Sequence, residues 1–240
     1  MNLDKIYFNT EPFNYWIIDD FFPIGQAITL ASKFPDYNDT DWYVYDNPLE
    51  VKKTINNYYK FSPEIYATMF RMMEPMFVEK LERLCGSKLF PDYGLHGAGM
   101  HIHGNGGKIN LHLDYSTHPK LPLQRKLNLI VYLSETWNTQ WGGNLEFWSH
   151  DMSSNKPLEK KQTIECKYNR AVIFDTSQNA WHGFPDPIQC PDTEYRKSLA
   201  MYYLCNPNSN IQARKRALYA PTPEQQSDQG ILDLIIERSQ

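Results

Sequence analysis

Between residues 95 and 205 the chain carries five short apolar runs, KINLHLDY, KLNLIVYL, NLEFW, AVIFD and SLAMYYL, separated by Gly, Pro, Asn and Asp. Runs of this length read as strands, and turn residues at this spacing separate them, which predicts a sandwich or barrel. Before them, residues 1–90 mix short apolar runs such as Tyr15-Trp16-Ile17-Ile18 with a helical pattern over 62–85. In that pattern Tyr66, Met69, Phe70, Met73, Phe77, Leu81 and Leu84 recur at three and four. Pro63 stands where the first turn belongs and Gly86 follows as a stop, so one helix packed on the sheet is expected, its methionines and aromatics serving as core. After Asn206 the chain is polar until ILDLIIERS, which reads as a short amphipathic helix docked on the body. No repeat or low-complexity linker divides the chain. The expectation is one α+β, mainly β, domain over 1–240, with 1–90 as helical support and first strand, 91–205 as catalytic core and 206–240 as tail.

Charge and composition exclude several function classes. A net charge of -4 with a pI near 6.0 offers no footprint for a nucleic-acid backbone, and the basic cluster Arg214, Lys215 and Arg216 is short enough to be a solvated tail face. The four cysteines, Cys85, Cys166, Cys190 and Cys205, form no CxxC pair and read as reduced thiols. The first sixteen residues, MNLDKIYFNTEPFNYW, carry early charges, and no stretch of about eighteen apolar residues occurs. A soluble, cytoplasmic protein with no membrane partner is expected.

The segment NLHLDYSTHP, residues 110–119, concentrates the chemistry. On a strand, alternation projects His112 and Asp114 to the same side, so two metal ligands sit on one rigid element. His182 is a third candidate, because it follows the run AVIFD by a short polar turn, at the rim of the strand-rich region. Two imidazoles and one carboxylate leave three adjacent positions open on ferrous iron, although zinc hydrolysis could use the same set. In YRKSLAMYYL, alternation places Arg196, Ser198, Ala200 and Tyr202 on one face and Lys197, Leu199, Met201 and Tyr203 on the other. A guanidinium beside a hydroxyl inside an apolar barrel is a seat for a planar carboxylate, so a dicarboxylate could chelate the metal at one end and meet Arg196 at the other.

The order HLD, WGGNLEFW, NRAVIFDTSQNAWHGFP and RKSLAMYYL resembles the iron(II) and 2-oxoglutarate dependent dioxygenases, in the branch similar to prolyl 4-hydroxylases. The likeness is strongest over about 90–205, and PFNYWIIDDFFP resembles that branch's opening strand. It implies a double-stranded β-helix, or jelly roll, with His112, Asp114 and His182 holding Fe(II) and Arg196 with Ser198 clamping the distal carboxylate of 2-oxoglutarate. O2 is then the co-substrate and ascorbate a candidate reductant. Relatives place a tyrosine on the cosubstrate nine positions before the first ligand, where this chain has His103, an alternative donor. Asn144 stands where relatives often carry an acid, a difference read as bearing on the substrate side. Tyr132 divides between core aromatic and cosubstrate contact, and Trp181 reads as packing. His96, His101, His118 and His150 read as surface or loop residues, with His101 and His118 near the mouth.

The resemblance implies hydroxylation of an unactivated C–H bond, most simply of a prolyl or other peptide residue, with release of succinate and CO2. Because Asp114 is retained, hydroxylation is expected over halogenation. Substrate choice is assigned to the loops 115–125 and 149–163. A small molecule or sugar is the alternative substrate. A non-catalytic metal-binding jelly roll is the alternative of another class, against which Arg196 and Ser198 argue.

Overall fold

The computed structural model describes residues 1–3, 5–209 and 211–239. In chain order the elements are β1 (Ile6–Asn9), β2 (Tyr15–Ile18), α1 (Ile24–Ser32), β3 (Tyr43–Asn47), β4 (Glu50–Ile55), α2 (Pro63–Arg71), α3 (Pro75–Cys85), β5 (Phe90–Pro91), β6 (Gly99–His103), β7 (Lys108–Leu113), β8 (Gln124–Tyr132), β9 (Leu145–Asp151), β10 (Lys156–Ile164), β11 (Ala171–Asp175), β12 (Trp181–Phe184), β13 (Arg196–Cys205), β14 (Leu218–Tyr219) and α4 (Gln229–Ser239).

The strands form a mostly antiparallel sheet curled on itself in the order β1-β2-β11-β8-β13-β6-β4-β7-β12-β9-β10, a jelly-roll core. Its centre is the long pair β8 and β13, in which Ser198 lies opposite Tyr132 and Tyr202 opposite Asn128. The alternation expected of β13 holds. Leu199, Met201 and Tyr203 enter the main apolar core with Leu127, Leu129, Val131 and the helices, while Arg196, Ser198, Ala200 and Tyr202 face the inside of the roll. Burying both faces of these two strands makes them the rigid floor on which the site is built.

Several elements depart from the sequence reading. The single helix over 62–85 is two, because Pro75 cannot donate a backbone hydrogen bond and holds Glu74 in extended backbone at φ -65 and ψ 144. Each half starts with proline in its first turn, and Gly86 ends the second at φ 66. Residues 1–90 contribute more than a first strand. β4 lies between β6 and β7 and closes the roll, yet its adjacent Lys52 and Lys53 break the period-two signal that would have shown it. The segment 149–163 is largely the β9–β10 hairpin rather than a loop. The tail is also structural: β14 pairs with β7, and α4 packs on Leu49 and Tyr219 through Ile231, Leu234 and Ile235.

All four cysteines are free thiols. Among the described residues no helix is long and apolar enough to cross a membrane.

Candidate active site

His112 sits near the end of β7, and Asp114 follows one residue after it. His182 lies within β12, directly opposite His112 in the antiparallel register. Gly183 lets the two strands approach, since a Cβ there would stand 2.7 Å from the Asn110 carbonyl oxygen and 2.8 Å from that of Ile109. The three candidate ligands converge with all donor atoms within 4.8 Å of one another. Nε2 of His112 is 3.7 Å from one Asp114 oxygen and Nε2 of His182 is 3.8 Å from the other.

The imidazoles are oriented by their far nitrogens. Nδ1 of His112 is 2.9 Å from the Asn110 carbonyl, and Nδ1 of His182 is 2.9 Å from the Ala180 carbonyl. With Nδ1–H donating to a carbonyl, the lone pair is left on Nε2, pointing at the carboxylate, which is the arrangement a metal-ligating histidine needs. Burial lowers the His112 pKa, with His182 adding to the effect, to about 3, and burial likewise lowers that of His182. Both rings are therefore neutral donors at neutral pH. Burial pushes the Asp114 carboxyl up, but the Arg125 guanidinium and the two imidazoles outweigh it and hold the group at about 2. Two neutral nitrogens and one carboxylate suit a borderline divalent metal with open positions.

A pocket opens beside the triad, lined by Arg196, Ser198, His101, His103 and Lys52 together with apolar Ile130, Leu145 and Phe184. Arg196 lies at its inner end, 3% exposed, with Nε donating to the Gly143 carbonyl at 2.7 Å. Its guanidinium stands 4.8 Å over the Tyr132 ring and 4.5 Å over the Phe184 ring. Gly143 explains the GG turn: its φ is +71, and a Cβ there would meet the Arg196 Cδ at 2.9 Å. Tyr132 itself is fully buried among Phe147 and Phe174 and supports the guanidinium without lining the pocket.

His103, at the end of β6, pairs in register with Arg196 and does line the pocket. It is 3% exposed, yet neither ring nitrogen has a hydrogen-bond partner. Burial, then the neighbouring Arg196, pushes its pKa well below the ordinary histidine value. A buried neutral imidazole left unsatisfied in a pocket that ends in a guanidinium fits a polar, anionic occupant.

The sequence reading missed several residues. His101 is neither surface nor loop: it lies on β6 opposite Ser198 and lines the pocket, its pKa lowered by burial, then by Lys52, to about 3. His118 is buried as a loop clasp, its Nδ1 accepting from the Lys120 and Leu121 amides at 3.2 and 3.0 Å. Asn144 does not face a substrate side; it ties the Cys166 amide to the Thr139 carbonyl. Trp181 is packing, 1% exposed, with Nε1 donating to His150. Arg214 leaves the solvated face proposed for its cluster and donates to the Asp114 carbonyl at 2.8 and 3.1 Å. Arg125, 2% exposed, was not singled out at all, although its guanidinium sits 3.0 Å from Asp114 and 3.3 Å over the Tyr202 ring.

Residues 98–204 match the family model of the 2OG-Fe(II) oxygenase superfamily. Among solved structures it is similar to a prolyl-4-hydroxylase from Pseudomonas putida, with TM-score 0.55 and 15% identity over 79% of this chain and 91% of that one. It is also similar to a prolyl hydroxylase from Trichoplax adhaerens solved with a hypoxia inducible factor oxygen degradation domain peptide fragment, with TM-score 0.50 and 16% identity over 80% of this chain and 83% of the other. These likenesses show the fold. No curated protein matches the chain.

Proposed function

We propose that the protein is a hydroxylase in which His112, Asp114 and His182 hold Fe(II) while Arg196 and Ser198 clamp the far carboxylate of 2-oxoglutarate, with His103 donating to the same cosubstrate. The observation that carries this reading is that Nε2 of both histidines and the buried Arg196 address one cavity. A structural metal site would need the first of these and not the second. When bound, iron with 2-oxoglutarate and O2 supplies oxidative decarboxylation to succinate and CO2 and the insertion of hydroxyl into a C–H bond.

The chain's own part is binding, orientation and exclusion of water. Asn110 and Ala180 hold the two imidazoles by their carbonyls; Arg125 and Asn128 do the same for the Asp114 carboxylate from 3.0 and 3.4 Å. Arg196 is held in turn by Gly143 and the Tyr132 ring, so the clamp is rigid before the cosubstrate arrives. The target is a prolyl or other peptide residue, in keeping with the branch likeness and with the peptide present in the Trichoplax enzyme of the same fold.

Purified protein should bind ferrous iron with a stoichiometry near one, and His112→Ala or Asp114→Ala should abolish binding. Tight zinc binding with hydrolysis and no 2-oxoglutarate turnover would refute the assignment. Arg196→Ala should keep iron but raise the 2-oxoglutarate requirement, because losing a buried charge-assisted contact costs about 2–5 kcal/mol. Unchanged cosubstrate affinity would place the clamp elsewhere, with Lys52 the remaining cation in that pocket.

A further inference from the structure

A second cavity, of about 260 Å³, adjoins the pocket that holds Arg196: the two share Lys52, Ile109, His112, Asp114 and Tyr202, and only the second is lined by Arg125, Lys215, Arg216 and Arg238. The cationic side chains Lys52, Arg125, Lys215, Arg216 and Arg238 face it, against only Glu50 and Asp114. The chain as a whole is acidic, at -4, so this concentration of positive charge is local and opposes the average.

The resident carboxylates do not neutralise it. Glu50 is shared between Lys52 at 2.7 Å and Arg238, so one carboxylate serves two cations. Asp114 is the partner of Arg125, yet its oxygens also face both Nε2 atoms, and a divalent cation there would draw its charge away from the guanidinium. Lys215 and Arg216 are exposed and form no ion pair among the described residues. Arg125 supplies the independent sign of a missing ligand. It is 2% exposed, clamped between the rings of Tyr115 at 4.6 Å and Tyr202 at 3.3 Å, and its Nε has no hydrogen-bond partner. A buried guanidinium nitrogen without a partner beside a cationic cavity is costly unless a ligand completes it.

We infer that this cavity is the substrate subsite and that it selects a compact anionic group, a carboxylate or a phosphate, carried next to the carbon that is hydroxylated. The inference rests on the reading of the triad as an iron site, because it is the triad that makes the cavity a place of reaction. It goes beyond a bare peptide target: a prolyl or other residue would be accepted when an acidic or phosphorylated group lies beside it. The volume of about 260 Å³ lies just below the range of drug-sized ligand sites, which starts at about 300 Å³, so a single side chain or small metabolite fits better than a folded surface. Guanidinium groups favour planar oxyanions through paired donors, and the tyrosines Tyr45, Tyr115 and Tyr219 add hydroxyls and apolar walls. The tail thus has a function its composition did not announce, since Lys215, Arg216 and Arg238 all come from residues after β13.

The test is calorimetric binding of glycerol 3-phosphate and N-acetylglutamate, with glycerol and N-acetylglutamine as neutral counterparts, to the anaerobic protein loaded with Fe(II) and saturating 2-oxoglutarate, so that the metal engages Asp114 and the cosubstrate fills the Arg196 seat. At least one anion should bind tenfold or more tightly than its neutral counterpart, and the better of the two identifies phosphate or carboxylate. Adding Lys215→Glu with Arg216→Glu, both exposed and so tolerable to the fold, should weaken that binding at least tenfold. Equal binding of charged and neutral probes would overturn the inference, as would anion binding that survives the double reversal unchanged. Failure of the iron reading is seen separately, as absence of the charge-transfer absorbance of the ferrous 2-oxoglutarate complex, a measurement in which no anion probe takes part.

Discussion

At the scale of single residues, His103 is the most informative position. By the resemblance read from the sequence it takes the place of a tyrosine, and its ring, with both nitrogens unpaired, lines a pocket together with Arg196. His103→Tyr should retain 2-oxoglutarate affinity, because a phenol offers a donor in the same volume. His103→Leu should weaken it by roughly 1–3 kcal/mol, the cost of leaving a buried partner unsatisfied. Titration of 2-oxoglutarate into the anaerobic iron complex measures both, and equal affinity in all three proteins would remove His103 from the cosubstrate. A free histidine would add a pH dependence near neutrality. Here burial and Arg196 keep the ring neutral there, so His103 should contribute no such step in the wild type.

Among the elements, the meeting of β7 and β12 decides whether the triad assembles. Their register sets His112 opposite His182, and Gly183 permits the approach because its missing Cβ would fall on two β7 carbonyls. Gly183→Ala should therefore push β12 outward and weaken iron binding about ten- to a hundredfold, the range typical of lost support around metal ligands. Circular dichroism should stay near wild type, since the core strands β8 and β13 do not touch this position. Unchanged iron affinity would mean that β12 can shift without moving His182. The same element scale shows why β4 escaped notice. A strand buried at its two ends, with polar residues between, carries no periodic signal.

For the whole molecule, buried titratable groups set the response to acid. His101, His103, His112 and His182 all have folded pKa values below the unfolded value near 6.5, each through burial first. Their neutral forms thus stabilise the fold above about pH 6.5, and that contribution is lost as pH falls, because the unfolded chain binds protons the folded chain refuses. Glu50 acts lower: burial raises its pKa, but Lys52 and Arg238 outweigh it and hold it at about 2, so its contribution is present above about 4.5 and is lost on the way down to 2. Metal-free protein should lose on the order of 2 kcal/mol between pH 7 and 5 for each of these histidine rings that stays neutral in the fold, with a further loss below 4.5. Urea melts at about pH 7, 5 and 3.5 would measure it. His101→Gln with His103→Gln should remove about half of the first step, the rest belonging to His112 and His182, and an unchanged slope would show that His101 and His103 are not part of its source.

The sequence alone was enough for the pairing of His112 with Asp114 and for the common face of Arg196, Ser198, Ala200 and Tyr202, because each depends on strand alternation, which is local and has period two, whereas the spacing of the strands gave only a sandwich or barrel and the jelly roll came through the family resemblance. It was also enough for His182 and His103 as candidates, through their places in a recognisable order of motifs. Only the tertiary structure decided that Pro75 divides a helix, that β4 closes the roll and that His101 lies within the pocket. It also decided that the tail brings Lys215, Arg216 and Arg238 to the same cavity as Arg125. Those placements join residues from ends of the chain that share no periodic pattern, and they follow from strand order and from which charges share one enclosed space. A linear pattern encodes the side of a strand a residue faces, whereas the partner across the roll is set by how the strands close on one another.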